Sequence, residues 1–331
     1  MFEKENDTNE IKVKEGKIMK LVIIEPLGVE EEKLLGLAKE KLADRVEILY
    51  YNTRVTDTET LVERAKDADI LAFSNLPFKK EVLEKCPNLK LISVAFTGVD
   101  HVAMDYCKER GIMVCNCAGY SNTAVSELVF GLALSLYRYI PQCNEVIRQG
   151  KDKTGLIGLE LEGKKFGVVG MGAIGTRTAM LAKAFGCEVY GYNRSPKQIE
   201  GVTMTDMDTL LKECDIVSLH VPLNDSTRGL INAEKIALMK SSAILINTAR
   251  GPVVDSEALA AALKEGKIAG AAADVFEIEP PLATDHPLLN CPNLIATPHV
   301  AFATKEALYK RAIIVFDNIV KFMDGCPQNM M

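Results

Sequence analysis

The sequence predicts an α/β protein built on two parallel sheets. Three observations lead to that class. Short β-branched runs alternate with amphipathic stretches along the chain, which is the pattern of strands and crossover helices. The alternation starts twice, once near residue 20 and again at Lys165. The second start leads directly into a glycine-rich turn, Gly170-Met171-Gly172-Ala173-Ile174-Gly175.

In chain order, the first series reads as strand 20–24, helix 30–42, strand 46–50, helix 58–66, strand 70–73, helix 81–86, strand 91–95 and a short strand at 112–114. A long helical segment over 122–149 follows, with Pro141 expected to kink or interrupt it. The second series reads as strand 166–169, helix 173–184 and strand 188–192, then strands over 216–219, 243–246, 268–273 and 294–296. A last helix over 304–323 is too small to form a domain and should pack back on the first one. The expected division is an arm over 1–18, one domain from 19–118 with 299–331, and a second over 119–298, with crossings near Gly119 and Pro298.

The bulk properties exclude several classes. The 331 residues suit two domains rather than one core, and the net charge of −6 argues against a nucleic-acid binder. The nine cysteines are scattered, several in apolar runs, which suits reduced thiols rather than a disulfide framework. Cys115 and Cys117 read as one face of a strand end, and no cluster makes a metal site. Residues 1–18 are charged and lack the apolar stretch of a signal peptide, and 128–137 is far too short to span a bilayer. A cytoplasmic protein is expected.

The glycine turn is the clearest chemical signal. Gly170 permits the tight turn, Gly172 lets backbone approach a pyrophosphate, and Gly175 lets the helix pack close to the strand. The helix start at Ala173 and Ile174 then offers free N–H groups to phosphates. The fold is therefore expected to be Rossmann-like and doubly wound, and the ligand NAD or NADP. The next strand ends at Asn193 and Arg194, where an NAD-specific site normally carries a carboxylate. No negative charge repels a 2′-phosphate there and a guanidinium can pair with one, so NADP(H) is expected to be accepted.

Three further segments complete the pattern: Asn247-Thr248-Ala249-Arg250-Gly251-Pro252, Asp274-Val275-Phe276-Glu277-Ile278-Glu279-Pro280 and Thr297-Pro298-His299-Val300-Ala301-Phe302. With the glycine turn, they resemble the D-isomer-specific 2-hydroxyacid dehydrogenases over nearly the whole chain after residue 19. The resemblance implies a cofactor domain inserted into a substrate domain and an active site of Arg250, Glu279 and His299. A guanidinium can hold a 2-keto acid carboxylate and polarise the carbonyl, and an imidazole can supply the proton that the reduced oxygen needs. Glu279 would favour the imidazolium.

The same resemblance places Val221, Pro222, Thr227, Thr248, Ala249 and Asp274 along the cofactor. It places Thr97 and Gly98 at the substrate carboxylate, with Tyr120 and Phe302 as aromatic contacts like those of the D-lactate dehydrogenase branch. Gly119 and the Pro298-His299 region are hinge candidates. His220 should border the nicotinamide rather than ionise, and His101 and His286 read as surface or loop residues.

Asn75 stands where phosphoglycerate-specific members carry an arginine, so a small, unphosphorylated 2-keto or D-2-hydroxy acid is the expected substrate. Family members pair through the long helix, which implies a homodimer. The alternatives are a phosphoglycerate dehydrogenase-like enzyme and a non-catalytic NAD(H)-sensing member; Glu279, where formate dehydrogenases have Gln, favours hydroxy-acid chemistry.

Overall fold

A computed structural model describes residues 18–278 and 281–331. The arm proposed for 1–18 lies almost wholly outside the described residues, and so does Glu279. The chain divides into two compact units. One joins the described residues up to Asn116 with Ala312–Met331, and the other is Cys117–Arg311.

The first unit is built from β1 (Met19–Ile23), α1 (Glu31–Leu42), β2 (Val46–Tyr50), α2 (Thr58–Ala65), β3 (Ile70–Phe73), α3 (Lys80–Leu83), β4 (Leu91–Val94), α4 (Met104–Arg110) and β5 (Met113–Cys115). Its five strands are parallel in the order β2-β1-β3-β4-β5. The inner strands β3 and β4 are buried at every position, because helices cover both faces of a parallel sheet. Thr97 and Gly98 follow the carboxyl end of β4, and Asn116 Nδ2 donates to the Thr97 carbonyl at 2.8 Å. The end of the chain closes this unit: Ser93 Oγ donates to the Val315 carbonyl at 3.1 Å, and Lys41 pairs with Asp317 at 2.7 Å.

The second unit holds α5 (Asn122–Tyr137), α6 (Ile140–Arg148), β6 (Lys165–Val169), α7 (Ala173–Ala184), β7 (Glu188–Tyr192), β8 (Thr203–Met204), α8 (Met207–Glu213), β9 (Ile216–Leu219), α9 (Ala233–Ile236), β10 (Ile244–Asn247), α10 (Ser256–Lys264), β11 (Gly270–Ala273) and β12 (Leu294–Ala296). All seven strands are parallel, in the order β12-β11-β10-β9-β6-β7-β8. The order reverses direction between β6 and β9. A doubly wound sheet opens a crevice at such a point, outside the carboxyl ends of its strands. The helix α11 (Lys305–Met323) begins in this unit and ends in the other.

The long helix expected over 122–149 is two helices. The break falls at Arg138 and Tyr139, the latter at φ +51°. Pro141 does not kink a continuous helix. It sits in the first turn of α6, where its missing N–H costs nothing. Four helices escaped the sequence reading. Three of them, α8, α9 and α10, are capped by the side chains of Asp206, Asn232 and Asp255, which accept from backbone N–H groups three residues on. The crossings stand at 116/117 and 311/312. The second lies beyond Pro298 because Val300 and Ala301 are bonded to Asp274 of the second unit. All nine cysteines are free, and Cys115 and Cys117 are buried. No helix among the described residues is long and apolar enough to cross a membrane. No group of metal-ligating side chains occurs among them.

Candidate active site

Most of the predicted site residues stand at one edge of the second sheet. Parallel strands put their carboxyl ends on the same side, so Asn193 after β7, the glycine turn after β6, His220 after β9, Thr248 after β10, Asp274 after β11 and Thr297 after β12 share that edge.

The glycine turn follows from backbone sterics. Gly170 has φ +97°, and a side chain there would strike the His220 carbonyl oxygen at 2.6 Å. A Cβ on Gly175 would lie 2.0 Å from the Gly170 carbonyl oxygen, whereas one on Gly172 would meet nothing within 4 Å. The turn is thus closed on the protein side and open at Gly172, where Ala173 and Ile174 begin α7. Val221 packs against Gly170, and Pro222 accepts from the Thr227 hydroxyl at 2.6 Å. Thr248 Oγ1 is buried with no hydrogen-bond partner among the described residues, and a buried hydroxyl normally has one. Open space above a helix start and an orphaned hydroxyl two strands away fit a dinucleotide, which would be held by these residues.

The Asn193 amide is bonded at both ends within the protein. Its Oδ1 accepts from Met171 N at 3.1 Å, and its Nδ2 donates to the Ser195 carbonyl at 2.9 Å. Arg194 is exposed. Lys197, which the sequence reading passed over, places Nζ 2.5 Å from the Met171 carbonyl, so a second cation flanks the turn. His220 bonds Ser218 Oγ through Nε2 at 2.9 Å, and burial pushes its pKa down to about 4. It is neutral over the physiological range, as expected for a residue that does not ionise.

The other end of the edge is organised by Asp274, whose carboxylate is 0% exposed. It accepts from Thr297 Oγ1 at 2.6 Å and from the N–H groups of Val300 and Ala301, each at 2.9 Å, while its own carbonyl accepts from His299 N at 2.8 Å. His299 stands at φ +55°, a conformation that side chains rarely adopt. Asp274 grips three consecutive N–H groups and so over-determines that strained turn. Burial raises the Asp274 pKa, against the downward pull of these donors and of His299. The residue expected along the cofactor therefore spends its carboxylate on the histidine turn.

Arg250 follows β10, and its Nη1 donates to the Ala249 carbonyl at 2.7 Å. A Cβ on Gly251 would lie 1.9 Å from the Phe276 backbone, so the arginine loop rests directly on the segment leading toward 279. Phe302 meets the His299 ring edge-on at 5.5 Å and lies 6.4 Å from Tyr120. His286 lies in a loop, with its side chain 13% exposed and Nε2 3.2 Å from Glu277 Oε2. Thr97 and Gly98 belong to the first unit.

A dinucleotide turn at the switch point of a parallel sheet, with an arginine and a histidine following strands on the same carboxyl edge, two positions apart in the sheet, is the arrangement of an NAD(P)-dependent oxidoreductase. The sequence model of the D-isomer specific 2-hydroxyacid dehydrogenase NAD-binding domain matches residues 130–301, and the chain belongs to that family. A D-3-phosphoglycerate dehydrogenase of Methanocaldococcus jannaschii is 41% identical over 93% of this chain, which spans only 58% of that relative's length. A hydroxypyruvate reductase of Blautia hydrogenotrophica is 34% identical, over 95% of this chain and 99% of its own. Among solved structures, an acyclic imino acid reductase in complex with NADPH and D-Arg superposes with a TM-score of 0.87, at 30% identity, covering 95% of this chain and 100% of its own.

Proposed function

We propose that the chain reduces a small, unphosphorylated 2-keto acid to the D-2-hydroxy acid, and runs the reverse reaction, with NADPH or NADH. The observation that carries this reading is the shared carboxyl edge on which β6 offers the glycine turn, β10 offers Arg250, and Asp274 of the β11 end holds the turn of His299. When bound, the cofactor supplies the hydride that reaches the carbonyl carbon. Arg250 would hold the substrate carboxylate and draw electron density toward the carbonyl oxygen. His299 would give that oxygen its proton, with Glu279 as the carboxylate partner of the imidazole. Thr97, Gly98, Tyr120 and Phe302 are the proposed substrate contacts. Under this reading, Cys117–Arg311 is the cofactor domain and the other unit the substrate domain.

Initial rates on glyoxylate, pyruvate, hydroxypyruvate and 3-phosphohydroxypyruvate with both cofactors test the proposal. Turnover of an unphosphorylated acid is expected, and exclusive turnover of the phosphorylated one, or of none, would reject it. Acceptance of NADPH is supported by Arg194 and Lys197 beside a turn with no carboxylate. Arg194→Ala should lower the NADPH-to-NADH preference about tenfold. A homodimer is proposed through helices α5 and α6, where Ile140 is 50% and Ile147 69% exposed. Sedimentation as a monomer at micromolar concentration would reject it.

A further inference from the structure

Arg311 lies in the first half of α11 with only 3% of its surface exposed. Its guanidinium carbon is 5.6 Å from the ring centroid of Tyr120 and 5.6 Å from that of Phe302, so one cation is shared by two aromatic faces. It also hydrogen-bonds the Tyr120 side chain. Around it, Cys117 Sγ contacts the Arg311 carbonyl at 3.7 Å, and Lys310 Nζ donates to the Gly119 carbonyl at 3.1 Å. The start of α11 is thus tied to segment 117–120. Phe302, in turn, sets its ring perpendicular to the His299 imidazole, at 88°.

A guanidinium is planar and weakly hydrated, so it can lie against rings in a way that an ammonium cannot. Burying a charge costs free energy, and an apolar side chain of similar volume would fill the same space without that cost. What the apolar side chain lacks is orientation: attraction to a ring face fixes where the ring stands, whereas apolar packing leaves it free to turn.

We infer that Arg311 is a positioning residue that sets the Tyr120 and Phe302 rings as a rigid wall beside His299, and so limits the side-chain size of the acid that is reduced. The inference rests on the reading that Phe302 and His299 face the substrate. Through Phe302 the same cation also restricts the imidazole, so size selection and proton delivery share one support.

The test is the ratio of kcat/KM for pyruvate to that for phenylpyruvate, measured together with the NADPH dissociation constant. Arg311→Met should lower the ratio at least about fivefold and leave NADPH binding within about twofold. Phe302→Leu should lower it in the same direction, and the double variant should fall no further than the larger single effect. A merely structural arginine would scale both substrates alike. Hence an unchanged ratio in Arg311→Met beside a lowered ratio in Phe302→Leu overturns the Arg311 inference alone. An unchanged ratio in Phe302→Leu removes the reading beneath it as well. Should Arg311→Met not fold, Tyr120→Phe, which deletes only the hydroxyl that Arg311 bonds, decides in its place: a lowered ratio supports the inference and an unchanged one overturns it.

Discussion

The two ends of the second sheet's carboxyl edge are built in different ways. At β6, the turn is six consecutive residues whose shape follows from local sterics: a positive φ at Gly170, and no room for a side chain at Gly175, where a Cβ would lie 2.0 Å from the Gly170 carbonyl oxygen. At β10 to β12, the corresponding turn is assembled from stretches far apart in sequence and held by one buried carboxylate, Asp274. The first kind of site resists any change that adds atoms, and the second kind fails when a long-range hydrogen bond is removed. Under the proposed function, cofactor binding falls to the former and placement of the proton donor to the latter.

The largest effect should come from His299, the proposed proton donor. His299→Ala is expected to lower reduction about a thousandfold while NADPH binding, read by fluorescence, stays within about twofold; retained activity would place the donor elsewhere. Asp274→Ala should come next, with activity down about a hundredfold through a displaced turn. It should also cost about 3 kcal/mol of stability by chemical denaturation, because three buried or part-buried donors lose their acceptor. If activity falls without a loss of stability, Asp274 acts on the cofactor rather than on the turn.

The glycine turn sharpens the contrast through two neighbours. Gly175→Ala should cost about 2 kcal/mol by overpacking against the Gly170 carbonyl. Gly172→Ala meets nothing in the protein, so it should leave the denaturation midpoint in place and weaken cofactor binding about tenfold. Equal effects on stability would contradict the picture of a turn closed on one side only.

The smallest effect on activity concerns His220, which is neutral in the folded protein with a pKa near 4 and acts on stability alone. The unfolded chain binds its proton from about pH 6.5 downward, so the folded state loses stability as pH falls from there toward 4. The loss should reach about 3 kcal/mol, and His220→Gln, which keeps a hydrogen-bonding side chain beside Ser218, should flatten the difference. Midpoints of urea unfolding across this range provide the check.

Much of this was legible in the chain. The strand expectations for 46–50, 70–73, 188–192, 216–219 and 294–296 share their bounds with β2, β3, β7, β9 and β12, because buried parallel strands are short apolar runs bounded by turns. The helix at Ser256 was within reach too, since Asp255 ahead of an alanine- and leucine-rich run is a capping signal. An interruption near Pro141 was legible as well, but its place ahead of the proline, at Arg138 and Tyr139, was not, because a proline inside an apolar helical run reads equally as a kink or as a first turn.

Local sequence determined by itself the alternation of strands and helices, the glycine turn and the residue types that this chemistry needs, since each depends on neighbours a few positions apart. Tertiary structure alone decided that Asp274 serves the His299 turn, that Lys197 stands over Met171, and that Arg311 lies between Tyr120 and Phe302. These are contacts between residues distant in the chain, and only the packing of the sheet and the helices brings such groups within hydrogen-bonding or stacking distance.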